Sequence, residues 1–198
     1  MTDSSHNPMV LPADLPVPVD DGAADHMPGS RVPDIALPAT DGREISLAGF
    51  DRRRVVVYAY PRTGRPGEGP LVEDWDQIPG ARGCTPETCG FRDHHAEITA
   101  LGADVFGLST QDTAYQQELV ERLHLPFAIL SDVQLRLTKA WSLPTFEAAG
   151  QTLLRRITVV VRDGVAEHVW YPVFPPDRHA DEVLEWLRIN KDAREPAG

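Results

Sequence analysis

Two cysteines, Cys84 and Cys89, are the only ones in the 198 residues, and both lie in Ala81-Arg-Gly-Cys-Thr-Pro-Glu-Thr-Cys-Gly-Phe-Arg-Asp93. Ahead of them runs the apolar stretch Val55-Val-Val-Tyr-Ala-Tyr60, and behind them a helical periodicity ends near Leu101. An apolar run without alternation reads as a strand covered on both faces of a central sheet. Cys84 is therefore expected where a buried strand hands over to a helix N-terminus. First-turn amides and the helix dipole stabilise an anion there, so its pKa is expected well below the free thiol value of about 8.5. The thiolate is the nucleophilic form, so such a cysteine is pre-activated.

The spacing of the pair adds a second constraint. Five helical residues turn the side chain by about 500°, leaving Cys89 roughly 140° around the axis with Cα atoms about 8–9 Å apart. A disulfide needs Cα atoms about 4.4–6.8 Å apart. Cys84 and Cys89 therefore bond only if the first turns unwind, which Gly83 and Gly90 on either side would ease. The plain alternative is two small buried apolar residues. That both cluster at one helix start argues against it.

Length allows one domain with a real core plus an N-terminal extension. The formal net charge of −11 argues against nucleic acid or an anionic membrane surface as partner. There is no run of about 18 apolar residues to cross a membrane. The start, Met1 to Val10, shows no basic region followed by an apolar one, so no secretory signal is expected. Two thiols fit a reducing, cytoplasmic setting and a transient functional bond rather than a structural disulfide framework.

Residues 1–28, rich in Pro and Asp, read as an irregular arm. Order begins at about Gly29, with a short extended segment at 31–37, a turn at Asp41-Gly42 and a short strand at Ile45–Leu47. Residues 62–83 form a long connection dense in Gly and Pro, a length usually reserved for lids or mobile functional segments. Trp75 is its one large apolar group, either an anchor for a surface insertion or a shaper of a substrate site. Pro86 suits the first turn of the helix that follows, and Phe91, Ile98 and Leu101 share a face of it. A strand is expected at Ala103–Leu108, then a helix capped by Asp112 and carrying Tyr115, Leu119, Val120 and Leu123. Pro126–Leu130 reads as a strand, Val133–Trp141 as a short helix, and Leu143–Phe146 as a loop. Leu153–Val161 and Val165–Tyr171 make a hairpin about Asp163-Gly164. A helix from about Asp181 to Asn190 closes the chain, with Val183, Trp186 and Leu187 inward. The order predicts an α/β fold with a mixed sheet flanked by helices.

Several segments together resemble the peroxiredoxins, thiol peroxidases of thioredoxin-like fold, and among them the bacterioferritin-comigratory-protein or Q type, whose two cysteines share one helix. The resembling residues are Val32-Pro-Asp34, Tyr58-Ala-Tyr-Pro61, Gly83 to Asp93, Gly107-Leu-Ser109, Leu130-Ser-Asp132 and Arg156-Ile-Thr158. They span roughly residues 29 to 190, and their joint order, with the cysteine spacing, is what is specific. The resemblance implies that Cys84 is the peroxidatic cysteine and Cys89 the resolving one. It implies that Arg156 favours the thiolate and binds peroxide, and that Glu87 orients Arg156. Arg155 is adjacent, but neighbours on a strand face opposite ways, so only one points at the site; Arg156 is preferred because Ile157 and Thr158 then keep the family's spacing. Pro61, Thr63, Trp75 and Gly83 are the expected substrate contacts. One departure stands out: the family's threonine, three residues before the cysteine, is Ala81 here, and Thr63 is the candidate to fold back in its place.

On that resemblance the chain is expected to reduce peroxides without a cofactor, to be recycled by a thioredoxin-like dithiol, and to be a monomer or weak homodimer. Two competitors use the same residues. A zinc site of Cys84, Cys89, His94 and His95 has the wrong spacing for the usual structural fingers, and surface histidines are the simpler account. A redox-sensing or dithiol-exchange protein without efficient peroxidase turnover is the other, given Ala81. His168 and Trp170 are expected to pack on their strand, and His124 to be exposed.

Overall fold

The computed structural model describes residues 7–191; the first six residues of the expected arm and the last seven of the expected domain lie outside them. The chain runs β1 (Ala36–Pro38), β2 (Glu44–Ser46), β3 (Arg54–Ala59), α1 (Cys84–Ala100), β4 (Ala103–Ser109), α2 (Thr113–Leu123), β5 (Ile129–Ser131) and α3 (Arg136–Ala140). It continues through β6 (Thr145–Ala148), β7 (Gln151–Leu154), β8 (Ile157–Arg162), β9 (Val165–Trp170) and α4 (His179–Ile189). The central sheet has the order β5-β4-β3-β8-β9. β3, β4 and β5 are parallel, whereas β8 pairs antiparallel with both β3 and β9. This is the expected mixed sheet of a thioredoxin-like fold.

β3 explains its own sequence. Val55, Val57 and Ala59 enter a core with Leu37, Leu47, Leu137 and Trp141 on one side of the sheet. Val56, Tyr58 and Tyr60 enter the other, with Phe91 and Ile98 of α1, Leu119 of α2, and Val183 and Leu187 of α4. Both faces are covered, so hydropathy has no reason to alternate. Tyr58 stacks on Phe91 with ring centroids 4.4 Å apart, and its hydroxyl donates to Thr88 Oγ1 at 3.3 Å, locking α1 onto the sheet. Gly107 in β4 leaves that ring its space, since a Cβ there would stand 3.0 Å from Tyr58 Oη.

Several local expectations change. Ile45 lies in β2, but Leu47 opens a 3-10 turn, Leu47–Gly49, capped by Ser46. The extended segment at 31–37 contributes one bridge, Arg31 to Val165, before β1 begins. The strand expected at 126–130 is β5 at Ile129–Ser131, and the helix expected at 133–141 shrinks to α3, its start held by the buried Asp132 carboxylate, which accepts from the amides of Arg136, Leu137 and Thr138. Asp112 caps α2 as expected, accepting from the Tyr115 amide at 2.7 Å. Tyr115 itself is not core; its ring lies beneath the Arg62 and Arg65 guanidinium groups, 5.1 and 4.1 Å from its centroid. Of the loop expected at Leu143–Phe146, Thr145 and Phe146 instead open β6, which forms a hairpin with β7 turning at Ala149-Gly150 with positive φ. The single strand expected at Leu153–Val161 is cut in two at Arg155-Arg156.

Residues 7–28 contain no helix or strand, as expected, but they do not lie free on the surface. Ala24 and Met27 are buried in the core beneath β1 and β3, and Tyr171 Oη donates to Asp21 at 2.8 Å.

Candidate active site

α1 begins at Cys84, one residue after Gly83 at φ 102°, a left-handed conformation that glycine alone adopts without strain. A Cβ on Gly83 would also run into Pro176 and stand 2.9 Å from Leu11 Cδ2. The tight entry drops Cys84 into the interior, where it is 3% exposed. Its Sγ donates towards the Ala81 carbonyl at 3.5 Å and accepts from Arg156 Nη2 at 3.2 Å. The Arg62 main-chain N–H adds a second donor to the sulfur.

Arg156 reaches this point because the break between β7 and β8 releases it from the strand. It is fully buried, and Nη2 also donates to the carbonyls of Gly80 (3.2 Å) and Arg82 (3.0 Å). Its Nη1 donates to Glu87 Oε2, one turn along α1 from the cysteine. Arg155 faces away: its Nε donates to Thr145 O and its guanidinium lies 5.8 Å from the Phe146 ring centroid. Arg156, not Arg155, is thus the arginine that touches the Cys84 sulfur, and the strand break between β7 and β8 is what frees it.

The charges on the three groups are coupled. Burial pushes the Cys84 thiol above its ordinary value, while the Arg156 guanidinium pulls it down and the Glu87 carboxylate opposes that pull. The expectation of a thiol pKa well below the free value is corrected: burial is the largest influence and raises it, and Arg156 is the main counterweight. Burial also raises the Glu87 carboxyl, against Arg156 first and the His179 ring second. Arg156 is held charged by Cys84 and Glu87 despite its burial.

A cavity opens onto the sulfur, with an empty volume of about 420 Å³ that includes open solvent. Thr63, Trp75, Gly83 and Cys84 all line it, together with Arg62 and Tyr115. Pro61 is buried just before the inserted segment. Trp75 is buried in a small cluster with Ala81, Leu153 and Ala148, so it both anchors the segment and walls the cavity. Thr63 does fold back to the site, but its hydroxyl donates to Gln111 Oε1 at 3.2 Å. Gln111 also accepts from the Thr63 amide and donates to its carbonyl. Ser109 and Ser131, in two of the stretches singled out in the sequence, hold Gln111 in turn. Gln111, Arg82 and His179 were not legible as site residues, because each meets the site through contacts far away in sequence.

Cys89 lies half-buried on the other side of α1, its thiol raised by burial and lowered by Arg92. The intact helix keeps the two sulfurs apart, as the spacing requires. His94 is engaged by Glu97 at 3.2 Å and Asp181 at 2.7 Å. The His168 ring stacks on Trp186, with centroids 4.9 Å apart, and His124 is the exposed cap residue of α2.

Comparison with known proteins agrees with this geometry. The redoxin family pattern matches residues 27–184, most of the chain. The putative chloroplast peroxiredoxin Q of Oryza sativa subsp. indica is 34% identical over 160 residues, which cover 81% of this chain and 66% of that protein. The chloroplast peroxiredoxin Q of Sedum lineare is 32% identical over 163 residues, 82% of this chain and 78% of that one. The chain belongs to the peroxiredoxins, in their Q branch. Among solved structures, the peroxidoxin BcpB of Mycobacterium tuberculosis superposes with a TM-score of 0.67 at 27% identity, covering 86% of this chain and all of the other. This peroxiredoxin spans just under two thirds of the rice relative's length. No helix among its described residues is long and apolar enough to cross a membrane.

Proposed function

We propose that this peroxiredoxin reduces hydrogen peroxide or organic hydroperoxides with Cys84 as the attacking sulfur and Cys89 as the resolving one. The observation that carries this is the Arg156 Nη2 to Cys84 Sγ contact at 3.2 Å, deep in the fold and beside an open cavity. Such a buried guanidinium stabilises both the thiolate and the negative charge that develops on the peroxide oxygens. Its position depends on Glu87, which takes up its other nitrogen.

The Cys84 thiolate attacks one peroxide oxygen, the O–O bond breaks, and the leaving oxygen takes a proton to become water or an alcohol. The sulfur, oxidised by two electrons, carries the remaining oxygen as a sulfenic acid. The first turns of α1 unwind, Cys89 attacks that sulfur, and water leaves as the disulfide forms. A thioredoxin-like dithiol then reduces the disulfide by exchange. The reaction belongs in a reducing compartment, consistent with two thiols and a cytoplasmic setting. Within this proposal residues from 29 onward form the catalytic domain, and 1–28 and 62–83 are additions to it.

Ala81 supplies no hydroxyl, and Thr63 already donates its own to Gln111. That favours, as a second reading, a dithiol-exchange protein that meets peroxide slowly. One experiment separates them. Adding one equivalent of hydrogen peroxide to the fully reduced protein is expected to remove both thiols within the mixing time of a manual assay. Both thiols persisting beside unconsumed peroxide would overturn the peroxidase reading.

A further inference from the structure

The loop from Gly80 to Gly83, which delivers the chain to Cys84, is held from two sides. On the inner side Arg156 donates to the Gly80 and Arg82 carbonyls. On the outer side lies the N-terminal arm. The Arg82 side chain is buried, and its Nη2 donates to the Asn7 carbonyl at 2.6 Å and the Val10 carbonyl at 3.0 Å. Its Nη1 donates to Asp76 at 3.3 Å, which ties in the inserted segment. Leu11 closes over Gly83, and Pro18 lies against Gly80. A buried cation committed to two carbonyls of a strand-free arm is costly to displace, because its hydrogen bonds are charge-assisted.

We propose that Arg82, clasped by the N-terminal arm, is a positioning residue that governs how fast the start of α1 unwinds, and so how long Cys84 remains a sulfenic acid before Cys89 reaches it. The proposal rests on the peroxidase reading given above. The two holds respond differently to the chemistry. Oxidation replaces the thiolate by a neutral sulfenic acid, so the charge-assisted contact from Arg156 weakens. Nothing in the Arg82 clasp changes charge when Cys84 is oxidised. Once the sulfur has reacted, Arg156 loses its charge-assisted bond to Cys84 and holds the loop only through the Gly80 and Arg82 carbonyls, while the outer hold remains in full as a barrier to unwinding. Resolution itself forms the S–S bond, breaks the S–O bond, and releases water with the Cys89 proton. No further oxidant is consumed in it. A second peroxide that arrives first carries Cys84 on to sulfinic acid, so the clasp also governs susceptibility to that damage.

The test uses the full chain and rapid-mixing fluorescence, which resolves a peroxide-dependent oxidation from a peroxide-independent resolution. Arg82→Gln is expected to speed resolution by about tenfold, the order of one charge-assisted hydrogen bond, while the second-order oxidation rate, which the same traces report separately, changes far less. The main-chain carbonyl that Arg156 uses is still present in that variant. The peroxide concentration that converts half of the chains to sulfinic acid should rise by the same factor, as measured by intact mass. Arg82→Lys, which keeps a charged donor, should fall between the two. Leu11→Ala loosens the arm without touching Arg82, should speed resolution to a smaller degree, and keeps the idea open to refutation if Arg82→Gln does not fold. An unchanged resolution rate in Arg82→Gln and Leu11→Ala overturns the clasp. So does a fall in both rates together, which general structural damage would produce. If the wild-type protein shows no oxidation phase at all, the peroxidase reading fails, and the clasp with it.

Discussion

Cys84 and Cys89 share one helix, five residues apart, yet their surroundings have little in common. Cys84 is enclosed, with a guanidinium at 3.2 Å, a main-chain donor from Arg62 and a cavity at its side. Cys89 is half-buried, with Arg92 as its largest cationic influence and an acidic neighbour, Asp93, working against it. Both thiols are raised by burial, so the direction of the shift does not tell them apart. What distinguishes them is the buried Arg156 guanidinium, whose Nη2 donates directly to the Cys84 sulfur. The difference teaches that the role of each thiol is assigned by what the rest of the fold brings to it.

The sharpest way to break that contrast is Cys84→Ser, which is expected to abolish peroxide consumption; a variant that still consumes peroxide would show that the assignment is wrong. Next in size is Arg156→Gln. Removing one preorganised donor to a developing charge should lower the second-order rate by about 10²- to 10³-fold. The sign of its pH dependence also follows. Arg156 lowers the Cys84 pKa, so its loss raises that pKa further and moves the rate-against-pH curve to higher pH. A curve that stays in place would mean that the guanidinium does not act on the thiolate.

Cys89→Ser should leave the first oxidation rate intact and stop the cycle there, with one sulfenic acid trapped per chain by a dimedone-type reagent. Glu87→Gln sharpens the comparison from the other direction. The Glu87 charge raises the Cys84 pKa, so its removal should move the curve to lower pH while loosening Arg156 and reducing the maximal rate. Smallest is Thr63→Ala. Its hydroxyl serves Gln111, so the expected loss is a few-fold at most, by the same rapid-mixing assay, and a collapse of activity would show that Thr63 contacts peroxide directly.

How much of this was legible beforehand depended on distance along the chain. The strand before the cysteines, the helix that starts at Cys84, the Asp112 cap and the Asp163-Gly164 turn follow from neighbours a few residues away, and they appear where periodicity and capping place them. The break at Arg155-Arg156 did not show, because apolar residues continue on both sides of it. The chain changes partner there, from β6 to β3. The β6–β7 hairpin was missed although Ala149-Gly150 carries a turn signal, since its strands are too short for alternation to register. Gln111 carries no local signal; two buried serines and Thr63 converge on it only in the fold.

The amino-acid sequence alone determined a strand-to-helix junction with a cysteine at its lip and a second one held out of bonding range, because backbone geometry over a few residues settles both. It also placed a glycine at the entry to α1, where the backbone takes a left-handed turn. Tertiary structure decided which arginine faces the sulfur, which way that thiol's pKa moves, and that the N-terminal arm reaches the catalytic loop. Burial and Coulomb interactions arise from groups brought together across the whole chain. Arg156 meets Cys84 over 72 residues and Arg82 meets Asn7 over 75, and no local pattern records either meeting.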